Sequence, residues 1–282
     1  MLRVHGVTAS ARVPINVAAS QFFARTERRI CRDTTREARQ AAPARRTVPR
    51  HSRTQMRLRK STLLLALAAC AHAPANTSAP ANRNALLLNP ADPEWRKPAP
   101  ALAHLRFETS KGVFVLELHR DWGPIGADRL YNLARLGYYN DARFHRVNKN
   151  YIAQFGLNGD PAVNAVWREN YIPDDPPRSD NKRGTFAFSM KGPGTSNTRT
   201  TQIYINLADN TRNNGEPFTV LGTVVEGMNV VDSLYSGYGE NSGSGVRQGR
   251  QGPLAEGGNA YVDAHFPLLD RILRVTVSAV RP

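Results

Sequence analysis

From residue 104 onward the chain is a succession of short apolar segments, each cut off by Gly, Asn, Asp or Pro, and this limits the fold more than any other feature. The segments are 104–109, 112–119, 143–147, 151–156, 184–190, 200–207, 218–225 and 271–280. In the second, Phe114, Leu116 and Leu118 alternate with Val113, Val115 and Glu117, the two-residue period of a strand with one face in a core. A strand cannot satisfy its own backbone N–H and C=O groups, so such segments must pair with one another. Eight of them fit an antiparallel sheet that closes on itself and leaves no edge exposed. Two helical patterns interrupt the strands. Pro124 stands where a missing N–H costs nothing, Ala127, Leu130, Leu133, Ala134 and Leu136 form an apolar stripe, and Gly137 ends it. Residues 228–235 carry Val230, Val231 and Leu234 at helical spacing. The expected fold class is therefore mainly β: a closed eight-stranded antiparallel β-barrel capped by two α-helices. Residues 237–258 read as a Gly/Ser-rich loop, and no internal repeat is present.

The charge belongs to a different part of the chain. Residues 1–60 hold 15 Lys+Arg against 3 Asp+Glu, whereas residues 61–282 hold 23 against 20, out of a total net charge of +15. The body is close to neutral, and no nucleic-acid partner is expected for it. Residues 1–55 are a basic extension read as absent from the mature protein. An organellar transit peptide and a nucleic-acid-binding arm are the alternatives. Residues 56–70 read as a signal peptide: Met56-Arg57-Leu58-Arg59-Lys60 is positive, the nine residues 61–69 are apolar, and Cys70 follows. That run falls short of the roughly 18 residues a membrane span needs. Leu67-Ala68-Ala69-Cys70 resembles a bacterial lipoprotein box, which implies cleavage before Cys70 and lipidation of its thiol, hence membrane anchoring through Cys70. Ala71-His72-Ala73 also fits plain cleavage after Ala73. Either route exports the protein, to the periplasm or to a lipid-anchored place in the cell envelope. Residues 71–103, rich in Ala, Pro and Asn, read as a tether, and residues 104–282 as the functional domain.

Most site chemistries are missing from the body. Cys31 and Cys70 are too few for a disulfide scaffold or a multi-cysteine zinc site. There is no G-x-S-x-G elbow, no G-x-x-x-x-G-K-[ST] loop, and His72, His104, His119, His145 and His265 lack metal-ligand spacing. Asp174-Asp175, beside Pro176-Pro177, reads as a solvated turn rather than a catalytic carboxylate pair. No metal and no cofactor are expected.

What remains is polar and aromatic. Phe144-His145-Arg146-Val147 is followed by Tyr151-Ile152-Ala153-Gln154-Phe155-Gly156, then by Gln202-Ile203-Tyr204-Ile205-Asn206, then by the stretch from Phe218 through Leu221-Gly222 to Met228-Asn229-Val230-Val231. In this order the segments resemble the cyclophilin-type peptidyl-prolyl cis-trans isomerases, over roughly residues 104–280. The resemblance implies an eight-stranded barrel closed by two helices and isomerase activity on proline-containing polypeptides. It implies a catalytic role for Arg146, a proline pocket at Tyr151, Ile152, Tyr204 and Phe218, gripping positions at Gln154 and Gln202, and a groove at Ser189 and Met190. His145 is assigned to structure. Phe218 stands where many relatives carry His, Tyr151 and Tyr204 replace the commoner phenylalanines, and residues 209–217 lack a tryptophan found in cyclosporin-sensitive members. The expected protein is a monomeric exported isomerase that assists folding. The alternative is a low-turnover proline-peptide-binding or chaperone module.

Overall fold

The computed structural model describes residues 80–192, 194–239 and 251–280. The basic extension, the signal peptide, Cys70 and residues 240–250 of the glycine-rich stretch lie outside the described residues.

Eight strands form where the short apolar segments stand. β1 (Leu102–Thr109) and β2 (Gly112–His119) make a hairpin. Gly112 leaves the turn at φ +130°, a conformation an L side chain rarely adopts. β3 (Arg146–Val147), β4 (Ile152–Phe155), β5 (Thr185–Phe188), β6 (Ile203–Asn206), β7 (Val220–Glu226) and β8 (Ile272–Ala279) complete one sheet of order β3-β4-β6-β5-β7-β2-β1-β8. Every ladder is antiparallel. The sheet curls strongly, but calling it closed overstates it. Its outer strands share no ladder; they meet at a single bridge, Arg143 with Arg271. There Phe144 N–H donates to the Asp270 carbonyl at 2.9 Å and Ile272 N–H to the Ala142 carbonyl at 2.8 Å. β3 is only two residues long, which leaves no second rung to bond.

The interior of the curl is packed with rings. Phe107 stacks on Phe114 at 4.8 Å, and Phe155 meets Phe107 and Phe144 edge-on at 5.4 Å each. All four are fully buried, with Leu105, Leu116 and Phe186 around them. A core filled in this way has no lumen, so any peptide must bind outside. α2 (Pro124–Arg135) lays its stripe of Ala127, Leu130, Leu133 and Ala134 against this core, and α4 (Met228–Asp232) buries Val231.

Three helices were not expected: α1 (Pro80–Leu87), α3 (Pro161–Trp167) and α5 (Gln251–His265). The tether reading fails from residue 83 onward. Leu87, Trp95 and Ala99 are buried. Trp95 meets Trp167 edge-on at 4.7 Å, and Trp167 Nε1 donates to the Leu87 carbonyl at 2.8 Å. Two large apolar anchors outweigh a stretch whose composition is otherwise that of a linker. The loop reading of 237–258 also fails at its end, because α5 begins at Gln251. Its helix is kinked at Gly258 (φ 56°, ψ −152°), where a side chain would collide with the Gly159 carbonyl. Among the described residues no helix is long and apolar enough to cross a membrane.

The Asp174-Asp175 pair is not a solvated turn. Asp175 is buried, and its carboxylate accepts the first-turn N–H groups of α2, from Ile125 at 2.9 Å and Gly126 at 2.8 Å. The buried Arg199 donates to it through both terminal nitrogens at 3.0 Å, while Arg199 Nε lies 3.1 Å from Asp174 Oδ1. A carboxylate at a helix N-terminus is favoured by the unsatisfied N–H groups and the helix dipole. Asp175→Ala removes the carboxylate that meets both terminal nitrogens of the buried Arg199 and two N–H groups of α2, leaving only Asp174 beside the charge, and is expected to cost about 3–5 kcal/mol in urea unfolding. Asp232→Ala, which breaks an exposed pair with Arg183, is expected to cost no more than about 1 kcal/mol.

Candidate active site

Strand periodicity builds the site. Along β4, Ala153 and Phe155 join the central core, so Ile152 and Gln154 face outward; along β6, Ile203 and Ile205 go in and Tyr204 and Asn206 go out; along β5, Phe186 and Phe188 go in and Ala187 goes out. Register then aligns the outward residues. Arg146 pairs with Gln154, Gln154 with Tyr204, and Tyr204 with Ala187, one row across β3, β4, β6 and β5.

The row carries a small apolar cluster separate from the core. Ile152, Ala187 and Tyr204 form its floor, with the half-buried Tyr151 and Phe218 as walls. Tyr204 and Phe218 stand edge to face, centroids 5.7 Å apart and planes at 83°. Beneath the floor, Asn181 ties the pieces together: its Oδ1 accepts from Tyr204 Oη at 2.7 Å, and its Nδ2 donates to the Phe218 carbonyl at 3.1 Å. Asn210 Nδ2 reaches the Tyr151 carbonyl at 2.8 Å and Asn206 Oδ1 at 2.7 Å. Burial raises the Tyr204 phenol well above its ordinary range, so it stays neutral.

Arg146, itself buried at 6% exposure, stands at the edge of this cluster beside Tyr151. Its guanidinium carbon lies 5.5 Å from the Tyr151 ring centroid, and its Nη1 donates to Gln154 Oε1 at 3.1 Å. Arg212, from the 3-10 turn Thr211–Gly215, places a second guanidinium 4.5 Å from the same ring. The aromatic face of Tyr151 thus holds cations by its quadrupole. Gln154 Nε2 donates to Gln202 Oε1 at 2.8 Å, and Gln202 Nε2 to Gln251 Oε1 at 3.0 Å.

The residues singled out from sequence fall into two adjoining sets. Arg146, Tyr151, Ile152, Tyr204 and Phe218 surround the hollow. Ser189 and Met190 line a neighbouring cavity of about 590 Å³, bounded by parts of α3 and α5. Gln154 and Gln202 border both. Ser189 N–H donates to the Gln202 carbonyl at 2.8 Å, which fixes that boundary. Sequence reasoning missed Ala187, Asn181, Arg212 and Gln251. Only Ala187 had a signal, as the small outward residue in Thr185-Phe186-Ala187-Phe188. Among the described residues no group of three His, Cys, Asp or Glu side chains is placed to hold a metal ion.

A family model described as "Cyclophilin type peptidyl-prolyl cis-trans isomerase/CLD" matches residues 104–250. "Peptidyl-prolyl cis-trans isomerase-like 1" of Emericella nidulans is 33% identical over 136 residues, 45% of this chain and 78% of the relative. "Peptidyl-prolyl cis-trans isomerase ppi1" of Schizosaccharomyces pombe is 31% identical over 135 residues, 46% of this chain and 83% of the relative. A crystal structure of a Cryptosporidium parvum cyclophilin-type peptidyl-prolyl cis-trans isomerase aligns with a TM-score of 0.47 at 20% identity. It covers 64% of this chain and 99% of that one.

His145, next to Arg146, is buried, and desolvation pushes its imidazole down to about 4 from an ordinary 6.5. The native side chain is neutral while the unfolded one binds a proton between those values. Stability from this group is therefore complete above about pH 6.5 and is lost as pH falls toward 4, by of order 3 kcal/mol in all. Urea unfolding across pH 7 to about 4 checks this against His145→Gln, which is expected to lose that part of the slope. Identical pH profiles for the two proteins would show that the imidazole is not held neutral.

Proposed function

The chain belongs to the cyclophilin-type peptidyl-prolyl cis-trans isomerase family, and we propose that it speeds X–Pro rotation by stabilising the twisted amide with Arg146. The observation that carries this is the row Arg146–Gln154–Tyr204–Ala187, which sets one guanidinium at the rim of one small apolar hollow. The X–Pro bond resists rotation because resonance gives it partial double-bond character, a barrier of about 20 kcal/mol. No bond breaks, so neither a nucleophile nor a metal is called for. What is needed is a site that binds the twisted amide better than either planar form.

Each part has a physical role in that task. The pyrrolidine ring is apolar and suits the apolar cluster of Ile152, Ala187, Tyr204, Tyr151 and Phe218, where its burial would contribute roughly 1–3 kcal/mol. On rotation the prolyl nitrogen loses conjugation and regains a lone pair. A fixed N–H donor with full positive charge favours that state over the planar ones. Arg suits this because it is always charged and its planar fork is pre-oriented, here by Gln154 and the Tyr151 ring. Gln202, half-buried beside the hollow, is placed to hold the peptide backbone through its amide, while the fully buried Gln154 holds Arg146. His145, buried and neutral, takes no part in proton transfer.

We place this activity among exported polypeptides. Support for that is the positive segment 56–60, the apolar run 61–69 and Cys70 in a lipoprotein-like setting. The proposed mature form starts at a lipidated Cys70 and works as a monomer in the cell envelope. The intact mass of native material tests this. A mass beginning at Cys70 plus lipid is expected, and one that includes residues 1–69 overturns it.

Arg146→Ala and Tyr204→Ala are each expected to lower kcat/KM at least about tenfold, or ~1.4 kcal/mol of transition-state stabilisation, with the far-ultraviolet circular dichroism unchanged. Two-dimensional NMR exchange between cis and trans signals of a proline peptide measures it. Peptide binding without exchange in the wild type would instead identify a holding module. With no titrating group in the step, kcat/KM is expected to stay constant between about pH 6 and 8.

A further inference from the structure

Three glutamines form a directed line behind Arg146. Gln202 Nε2 donates to Gln251 Oε1, Gln154 Nε2 donates to Gln202 Oε1, and Arg146 Nη1 donates to Gln154 Oε1, at 3.0, 2.8 and 3.1 Å. A carboxamide is a donor at one corner and an acceptor at the other, so each link sets the sense of the next. Gln251 offers its oxygen; Gln202 must then turn its nitrogen to Gln251 and its oxygen to Gln154. Gln154 in turn must show its oxygen to Arg146. A reversed Gln154 would aim an N–H at the guanidinium, donor against donor. Gln154 is buried and bonded at both corners of its amide, so reversing it would set donor against donor at Arg146 and acceptor against acceptor at Gln202.

The far end of the line rests on α5, whose first residue is Gln251, one position past the span the family model matches. α5 is firmly seated. Leu254 and Val262 are buried, Arg143 donates to both Asp263 oxygens at 2.9 and 2.8 Å, and Asn164 Nδ2 donates to the Ala255 carbonyl at 3.1 Å. The turns of α5 before the Gly258 kink, held through Leu254 and the Ala255 carbonyl, therefore present Gln251 as an acceptor to a line that ends on the guanidinium.

We propose that Gln251 is a positioning residue for the isomerisation: it orders the amides of Gln202 and Gln154 so that Arg146 meets an oxygen and is held at the rim of the proline hollow. The proposal rests on the reading of Arg146 as the catalytic residue. Because the line ends on the group that acts in the twisted state, its loss falls on kcat rather than on KM.

The test compares Gln251→Ala, Gln251→Lys and Gln251→Glu in the full chain, using NMR exchange on a proline peptide, thermal unfolding and the Arg146 Nε–H resonance. The alanine and lysine variants remove the acceptor. They are expected to lower kcat by about three- to tenfold, the size of one neutral hydrogen bond, with KM within about twofold and an unchanged unfolding midpoint. The Arg146 Nε–H signal is expected to move with them. Gln251→Glu keeps an acceptor and is expected to recover most of the loss and the wild-type resonance. Wild-type kcat in Gln251→Lys overturns the proposal, as does an equal loss in the lysine and glutamate variants. Full activity in Arg146→Ala sinks the catalytic reading instead, and the Nε–H resonance still reports whether Gln251 orders the line.

Discussion

The two-residue period of β4, β5 and β6 is the constraint on which the rest depends. It sends Phe155, Ile203, Ile205, Phe186 and Phe188 into the curl of the sheet and Ile152, Gln154, Tyr204 and Ala187 out of it. A slip of one residue in any of these strands would exchange the two sets, so the ring-packed core and the outer hollow specify one register between them. The core makes the molecule solid and forces peptide binding to the outside; the same backbone positions supply the hollow. Stability and function are therefore not separate regions joined by loops but opposite faces of three short strands.

Side chains from elsewhere refine what the strands begin. Asn181 and Asn210 lie outside the sheet and brace the floor and wall of the hollow through hydrogen bonds to Tyr204, Phe218 and Tyr151. Arg146 is oriented from two sides, by the face of an aromatic ring and by an amide oxygen. Such restraint matters in a reaction where the catalyst contributes only differential binding. A guanidinium free to follow the substrate would stabilise planar and twisted amides alike, and uniform binding gives no acceleration.

The sequence disclosed the strands, the α2 stripe and the outward residues because each rests on local periodicity. Each of the eight strands overlaps one of the short apolar segments, β1 starting two residues before its segment and β7 ending one residue after, and Ala127, Leu130, Leu133 and Ala134 are buried as their spacing implies. What was illegible depends on distant partners. Asp175 looks solvated beside two prolines, yet Arg199, 24 positions later, and the start of α2, about 50 earlier, bury it. Trp95 reads as a stray aromatic in a linker until Trp167 is seen against it. α5 is masked by Gly252, Pro253, Gly257 and Gly258, residues that local propensity counts against a helix and that tertiary contacts with Gly159 and Asn164 override. Ser189 and Met190 carry no local signal beyond the resemblance, and they lie along the cavity that adjoins the hollow.

A crystal structure with a short proline-containing peptide tests the central claim most directly. The account predicts the pyrrolidine ring seated among Ile152, Ala187, Tyr204 and Phe218, with an Arg146 N–H directed at the prolyl nitrogen within about 3.5 Å. A ring lodged instead in the cavity beside Ser189 and Met190, or an Arg146 side chain turned away from the prolyl amide, would contradict it.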